Sequence, residues 1–245
     1  MTYCVGLRTN SGLVFMSDTR TNAGIDNIST VRKMHHWCVP GERFITLMTA
    51  GNLATTQAVV SLLEERSKAQ EDRNPSILDQ PSMFRVAQLV GNTLREVIQT
   101  QSGEGQRADA TFSATMILGG QIAPGPMRLF MIYPEGNFIE ASEDTPFFQI
   151  GETKYGRPIL LRGFEPDMGF AEAIKLLLVS FDSTLKANLS VGLPFDVQVY
   201  EMDSFEFGHS NRIEYDDPYF HAISEVWGEA LREAFGRLPP YEMGN

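Results

Sequence analysis

The sequence predicts an α+β fold in which two antiparallel sheets lie face to face and helices cover their outer faces. Two observations carry that prediction. The chain reads as four strand-like segments, two amphipathic helices, a group of short strands, and then helix, strand and helix, an order that fits layered sheets with helices outside. Its 245 residues are 42% hydrophobic and 21% charged, an ordinary globular composition that supports a sizeable core. No internal repeat, low-complexity tract or linker stands out, so a single domain over residues 1–245 is expected.

Taken in order, Thr2 to Arg8 reads as a strand, Asn10-Ser11-Gly12 as a tight turn and Leu13 to Asp18 as the returning strand. A third strand is expected from Val31 to Val39 with Lys33 on it, and a fourth from Arg43 to Thr49-Ala50-Gly51. Asn52 can then cap a helix to about Lys68, with Leu53, Val59, Val60, Leu62 and Leu63 on its buried side. Ala69 to Pro81 is polar with two prolines and reads as a connection, before a second helix from Ser82 to about Thr100. Gln101 to Arg107 reads as a loop, without the Lys-Ser/Thr of a phosphate-binding loop. Strands near Thr111 to Leu118, Met127 to Tyr133 and Phe138 to Ala141, separated by Gly-Gly, Pro-Gly-Pro and Glu-Gly-Asn turn signals, are expected to form a second antiparallel sheet. A short strand at Phe147 to Ile150 leads into the Gly-bounded turn Gly151 to Gly156, which on its residues alone reads as a simple strand-helix connection. A helix from Gly169 to Lys186, a strand from Phe195 to Glu201 and a last helix from Pro218 to Phe235 follow, ended by Gly236 and Pro239-Pro240.

Composition excludes several function classes. A net charge of −11 without a Lys/Arg cluster argues against nucleic acid. No apolar run reaches membrane-spanning length, because Glu172, Lys175 and Asp182 interrupt the best candidate, and the N-terminus lacks a signal-peptide pattern, so a cytoplasmic location is expected. Cys4 and Cys38 are too few for a disulfide framework and read as reduced thiols. His35 and His36 are neighbours on a strand and point to opposite faces, which argues against a shared metal ion; no metal or cofactor is expected. Glu64-Glu65 and Asp216-Asp217 read as solvated faces, and His209 and His221 have no triad context.

The residues that carry chemistry lie in the first fifty-one. Removal of Met1 would leave Thr2 with both a hydroxyl and a free α-amine, nucleophile and base on one residue, because an α-amine with a pKa of about 7.7 to 8.0 is partly neutral near pH 7. The expected hairpin brings Asp18 beside the chain start. Gly51 sits at a strand-to-helix junction, where exposed N–H groups can receive an oxyanion. Thr2, Ser17-Asp18-Thr19-Arg20, Lys33-Met34 and Thr49-Ala50-Gly51 together resemble the N-terminal Thr, Asp, Lys and oxyanion Gly of proteasome β-type subunits, which are N-terminal nucleophile hydrolases. Phe181-Asp182-Ser183-Thr184 through Asn188-Leu189-Ser190-Val191-Gly192 resembles a later stretch of their bacterial branch called Anbu, the ancestral β-subunit. The turn Gly151-Glu152-Thr153-Lys154-Tyr155-Gly156, equally well read as a connection, resembles the segment that lies near the nucleophile in proteasome relatives. The segment before Lys33 is slightly compressed relative to proteasome β-subunits, and their Asp-x-x-Ser sequence is not cleanly present near Ser190.

The resemblance implies a four-layer αββα sandwich and a threonine-type endopeptidase. Its catalytic residues would be Thr2, Asp18, Lys33 and Gly51, with Ser190 and Asp182 as supporting candidates. Thr21, Val31, His35, Thr49 and Leu53 would line the pocket for the side chain preceding the cut bond. It also implies a large homo-oligomer acting on peptides or unfolded protein; an ATP-driven unfoldase partner fits by analogy, but no docking motif is visible. Three other readings remain open on the sequence: a non-peptide amide hydrolase of the same fold, a catalytically silent ring- or spiral-forming subunit that keeps Met1, and, last, a plain ligand-binding sandwich that the Thr2, Asp18 and Lys33 order does not favour.

Overall fold

A computed structural model describes residues 2–22, 28–68, 75–102 and 112–243. Strands β1 (Tyr3–Arg8) and β2 (Gly12–Asp18) form the expected hairpin, with Cys4 opposite Ser17 and Leu7 opposite Val14. A small ribbon of β3 (Arg20–Asn22) and β4 (Ile28–Thr30) follows, then β5 (Met34–Val39) and β6 (Arg43–Gly51). The third expected strand therefore begins three residues late. Lys33 precedes β5, although its carbonyl still accepts a hydrogen bond from the Thr49 N–H at 2.9 Å.

Helix α1 (Leu53–Lys68) starts where the sequence places it. Asn52 Oδ1 accepts from the Thr55 N–H at 3.0 Å, relieving one of the unsatisfied donors of the first turn. A 3₁₀ turn (Ile77–Asp79) and helix α2 (Met83–Ser102) follow, and of the loop expected from Gln101 to Arg107, residues 103–107 lie outside the described residues. The chain continues through β7 (Ala114–Ile122), β8 (Arg128–Ile132), β9 (Phe138–Glu140) and β10 (Phe147–Gly151) to a short helix α3 (Arg157–Gly163) absent from the sequence reading. Helix α4 (Phe170–Ala187), β11 (Phe195–Glu201), a second unforeseen element β12 (Ser210–Ile213) and helix α5 (Pro218–Gly236) complete it.

The strands near 111–141 do not make a sheet of their own. They extend β5 and β6 into one five-stranded sheet, β5-β6-β7-β8-β9, while the N-terminal hairpin joins the other, β10-β1-β2-β11-β12. Long-range pairing decides this: β6 lies along β7 from Arg43 opposite Ile122 to Gly51 opposite Ala114, and β2 lies along β11. Side-chain alternation then builds the layers. Tyr3, Val5 and Leu7 pack with Leu177 and Phe181 of α4, whereas Cys4 faces the opposite sheet with Met48 and Ile117. Ile45 and Leu47 pack against α1 and α2, and their neighbours Phe44 and Met48 join the layer between the sheets. The result is the αββα sandwich, with α1 and α2 on one side and α3, α4 and α5 on the other.

Candidate active site

The hairpin explains the first contact. With Cys4 opposite Ser17, Tyr3 falls opposite Asp18, and the Tyr3 N–H donates to Asp18 Oδ1 at 2.9 Å. The same oxygen receives Lys33 Nζ at 2.7 Å, and Lys33 also donates to the Arg20 carbonyl at 2.7 Å. This pair is almost wholly shielded from solvent, Lys33 at 5% and Asp18 at 0% exposure. Burial pushes the Asp18 carboxyl above the ordinary range, and the Lys33 charge and the N–H groups of Tyr3 and Gly192 oppose that push. A buried charge without such partners would cost several kcal/mol.

Thr2 is itself buried and lies at one side of a cleft of about 540 Å³. Lys33 and Gly51 line the same cleft, as do Thr21, Val31, His35, Thr49 and Leu53. The sequence reading did not include Arg32, Thr56, Gln57, Val60, Ser61 and Glu64, which also line it. Most of these follow Leu53 at helical spacing along α1, so the helix that begins beside Gly51 presents one stripe to the cleft. Asp18 sits beneath, touching the cleft through Lys33. Burial lowers the pKa of His35 and raises that of the Cys4 thiol, which faces the Thr49 carbonyl and is unsuited to act as a thiolate.

Gly51 has φ +118°, and a Cβ there would stand 2.4 Å from the Ser113 carbonyl oxygen, so neither conformation nor space admits a side chain. Gly151 makes an equivalent contact that the sequence alone did not reveal. Its φ is +84°, and a Cβ would lie 1.9 Å from the Thr2 carbonyl oxygen, which meanwhile accepts from the Glu152 N–H at 2.7 Å. The next residue is pinned from another side. Tyr3 OH meets Ser180 Oγ at 2.7 Å and accepts from Gln149 Nε2 at 2.6 Å, and burial pushes its pKa up to about 12. The Gly151 to Gly156 turn thus closes on the first two described residues; the sequence signals for it are its Gly-bounded composition and its resemblance to the segment that lies near the nucleophile in proteasome relatives.

Neither Ser190 nor Asp182 lines the cleft. Asp182 is on α4 and pairs with Lys186 at 3.0 Å, and Lys186 in turn reaches Ser224 of α5. Ser190 belongs to the loop after α4, where its N–H donates to Asn188 Oδ1 and the Leu189 carbonyl accepts from Arg20. Arg20 therefore ties that loop to the strand end carrying Asp18. No group of three or more His, Cys, Asp or Glu suited to a metal occurs among the described residues.

The profile of the proteasome family, described as proteasome subunit, matches residues 2–199. The chain belongs to the proteasome family, in its Anbu branch. Among solved structures it is similar to Anbu (ancestral beta-subunit) from Yersinia bercovieri, at 50% identity and a TM-score of 0.91, covering 99% of this chain and 100% of that one. The helical assembly of the Anbu complex from Pseudomonas aeruginosa is similar at 46% identity and TM-score 0.91, covering 98% of each chain. A proteasome subunit beta of Haloquadratum walsbyi shares 26% identity over 84% of this chain and 75% of its own length. Family membership thus agrees with the resemblance seen in the sequence, and the sandwich is the family's fold.

Proposed function

We propose that this chain is a threonine-type endopeptidase in which removal of Met1 exposes Thr2 as nucleophile, acting on peptides or unfolded protein within a homo-oligomer in the cytoplasm. The observation that supports it most is the buried Lys33–Asp18 pair at 2.7 Å, held by the Tyr3 N–H and opening onto the cleft at Thr2. The Thr2 hydroxyl attacks a peptide carbonyl while its α-amine, through a water, takes the proton. The Lys33 ammonium favours the deprotonated oxygen, and Asp18 holds that ammonium in place. The Thr49 N–H points to Lys33, and strand alternation turns the Gly51 N–H to the same edge, just past the start of β5. That position suits an oxyanion donor, whose loss costs roughly 10²- to 10³-fold in rate. The tetrahedral intermediate collapses with cleavage of the peptide C–N bond, the leaving amine taking back the proton held by the Thr2 amine, and water then hydrolyses the acyl-enzyme and restores Thr2.

Thr21, Val31, His35, Thr49 and Leu53 give the recess for the side chain before the cut bond mixed chemistry and a broad specificity. The helical assembly of the Pseudomonas aeruginosa relative supports the homo-oligomer. The test combines the mass of the chain from its native cell with turnover on matched peptide and small-amide panels. Expected are loss of Met1, cleavage of peptides, partial activity in Thr2→Ser and none in Thr2→Ala. Retention of Met1 in every molecule favours the silent subunit, cleavage of small amides alone favours the non-peptide hydrolase, and wild-type turnover by a correctly assembled Thr2→Ala chain rejects the nucleophile.

A further inference from the structure

We propose that Glu152 is the counter-ion of the Thr2 α-amine, a positioning residue that holds the amine in place and keeps it basic enough to accept the hydroxyl proton. The inference rests on the reading above in which Met1 is removed, and adds the group that governs the base. Glu152 is a carboxylate that the mechanism leaves unused. It directly follows β10 and is 8% exposed. Its Oε2 accepts from Asn188 Nδ2 at 2.8 Å, a neutral partner, and among the described residues no cation lies within ion-pair distance of it. A carboxylate buried in this way is costly unless a positive charge answers it.

Two observations bring that charge from Thr2. Tyr3 lies opposite Gly151 in the β1–β10 register, so one step further Thr2 falls opposite Glu152, and the Glu152 N–H donates to the Thr2 carbonyl at 2.7 Å. An extended residue turns its nitrogen and its carbonyl to the same side, so the Thr2 nitrogen faces the edge that carries Glu152. Loss of Met1 converts that nitrogen into an ammonium on a residue that is itself buried. The other polar and charged groups of the neighbouring elements are engaged or face solvent. Asp18 and Lys33 hold each other, Arg20 donates to the Leu189 carbonyl, and Asp182 pairs with Lys186. The Tyr3 hydroxyl is bonded to Ser180 and Gln149, the Cys4 thiol faces the Thr49 carbonyl, and Lys154 on the same turn is exposed. Burial and the Lys33 ammonium both disfavour a further positive charge at Thr2 and would make its amine a weak base. The Glu152 carboxylate opposes both effects, and a base whose pKa sits near the working pH accepts a proton best.

The test reads the amine directly. In chain isolated with Thr2 at its N-terminus, the pH dependence of α-amine acetylation by acetic anhydride, followed by mass spectrometry, gives the amine pKa. Glu152→Gln keeps the size and the bond to Asn188 but removes the charge, and should lower that pKa by at least about one unit. The acid limb of kcat/KM on a cleaved peptide should move to lower pH with it, and plateau turnover should fall about three- to tenfold, since a weaker base takes the proton less readily. Glu152→Asp withdraws the charge by one methylene and should lower the pKa by less, so the test stands on either variant. Sedimentation and an unchanged Tm verify assembly and folding. An amine pKa that neither folded variant lowers overturns the inference, even where turnover falls, because the tie to Asn188 then serves the fold alone. A lowered amine pKa in a protein that cleaves no peptide upholds the pairing and overturns the peptidase reading. Retention of Met1 by every molecule from the native cell overturns both.

Discussion

The two openings of this molecule are built on opposite terms. The cleft at Thr2 holds charge that has been taken out of water: Lys33 and Asp18 are buried together and joined at 2.7 Å. The groove at α5 holds apolar surface that has been left in water, with Val226 at 62% and Leu231 at 50% exposure. Each arrangement is locally unfavourable. A buried ion pair is often no more stable than well-packed apolar residues in its place, and exposed apolar area forgoes roughly 25 cal/mol per Å² of burial. A chain keeps a buried pair of this kind where chemistry uses it, which under the function proposed above is attack on a substrate.

The most severe way to break the contrast is Lys33→Ala. It leaves Asp18 buried and uncompensated, which should lower stability by about 3 to 5 kcal/mol in denaturant titration and abolish turnover. Adding Asp18→Asn should recover part of the stability and none of the activity. Recovery of turnover in the double variant would show that the pair serves the fold alone. Gly151→Ala comes next. At φ +84° with the Thr2 carbonyl 1.9 Å from the new Cβ, Thr2 must shift, at a cost of about 1 to 3 kcal/mol and at least about tenfold in turnover.

The Gly151 contact also marks where sequence reasoning stops. Local signals were sufficient for the β1–β2 turn, for the Asn52 cap and for α2, α4, β11 and α5, because hydrophobic period and turn residues act over a few positions. The order Thr2, Asp18, Lys33, Gly51 was legible through family resemblance, and the pocket residues with it. Which strands share a sheet was not: β2 pairs with β11 and β1 with β10, choices made by packing between distant segments. Helix α3 has seven residues, too few to show a period, and β12 is a polar edge strand, Ser210–Ile213, with a single buried residue. The tie between Arg20 and Leu189 joins residues far apart in the chain that no local pattern announces, whereas the approach of Gly151 to Thr2 was foreshadowed only by the likeness of its turn to a family segment.

A third prediction uses a group that lines neither opening. His36 on β5 contacts Thr46 Oγ1 at 3.1 Å and sits edge-on to Phe207, and burial pushes its pKa down to about 4. An unfolded histidine titrates near 6.5, so between about 4 and 6.5 the unfolded chain binds the proton more readily, and stability must rise with pH across that window. The contribution is complete above about 6.5 and is lost as pH falls through 4, on the order of 2 kcal/mol. His36→Gln should flatten that part of the stability curve relative to wild type, read as Tm at pH 7 and pH 4. Identical slopes in the two proteins would mean that His36 is solvated.

The smallest expected effect gives the finest comparison, because it places the same bond at both openings. Asn52 caps α1 beside Gly51, its Oδ1 accepting from the Thr55 N–H at 3.0 Å, and Asp217 caps α5 beside the groove, its Oδ1 accepting from the Phe220 N–H at 2.8 Å. Either Asn52→Ala or Asp217→Ala leaves a first-turn donor unsatisfied and should cost about 1 kcal/mol. The helices differ in what depends on that first turn. Leu53 and Thr56 of α1 line the cleft, and Thr55 Oγ1 donates to Gln101 Oε1 of α2 at 2.8 Å, so loosening Asn52 disturbs the cleft wall and its brace. Phe220 is the one buried residue of α5 and packs on Phe195, so loosening Asp217 frees the helix that walls the groove. Asn52→Ala should therefore raise KM for a peptide about two- to fivefold and leave association unchanged, since a loss of 1 kcal/mol in helix stability corresponds to about fivefold in an equilibrium constant. Asp217→Ala should lower stability by a similar amount and leave KM for the same peptide unchanged, since α5 does not line the cleft. Equal effects of both variants on KM would mean that the two helix starts are coupled through the fold, and that the Asn52 cap does not act through the cleft wall it supports.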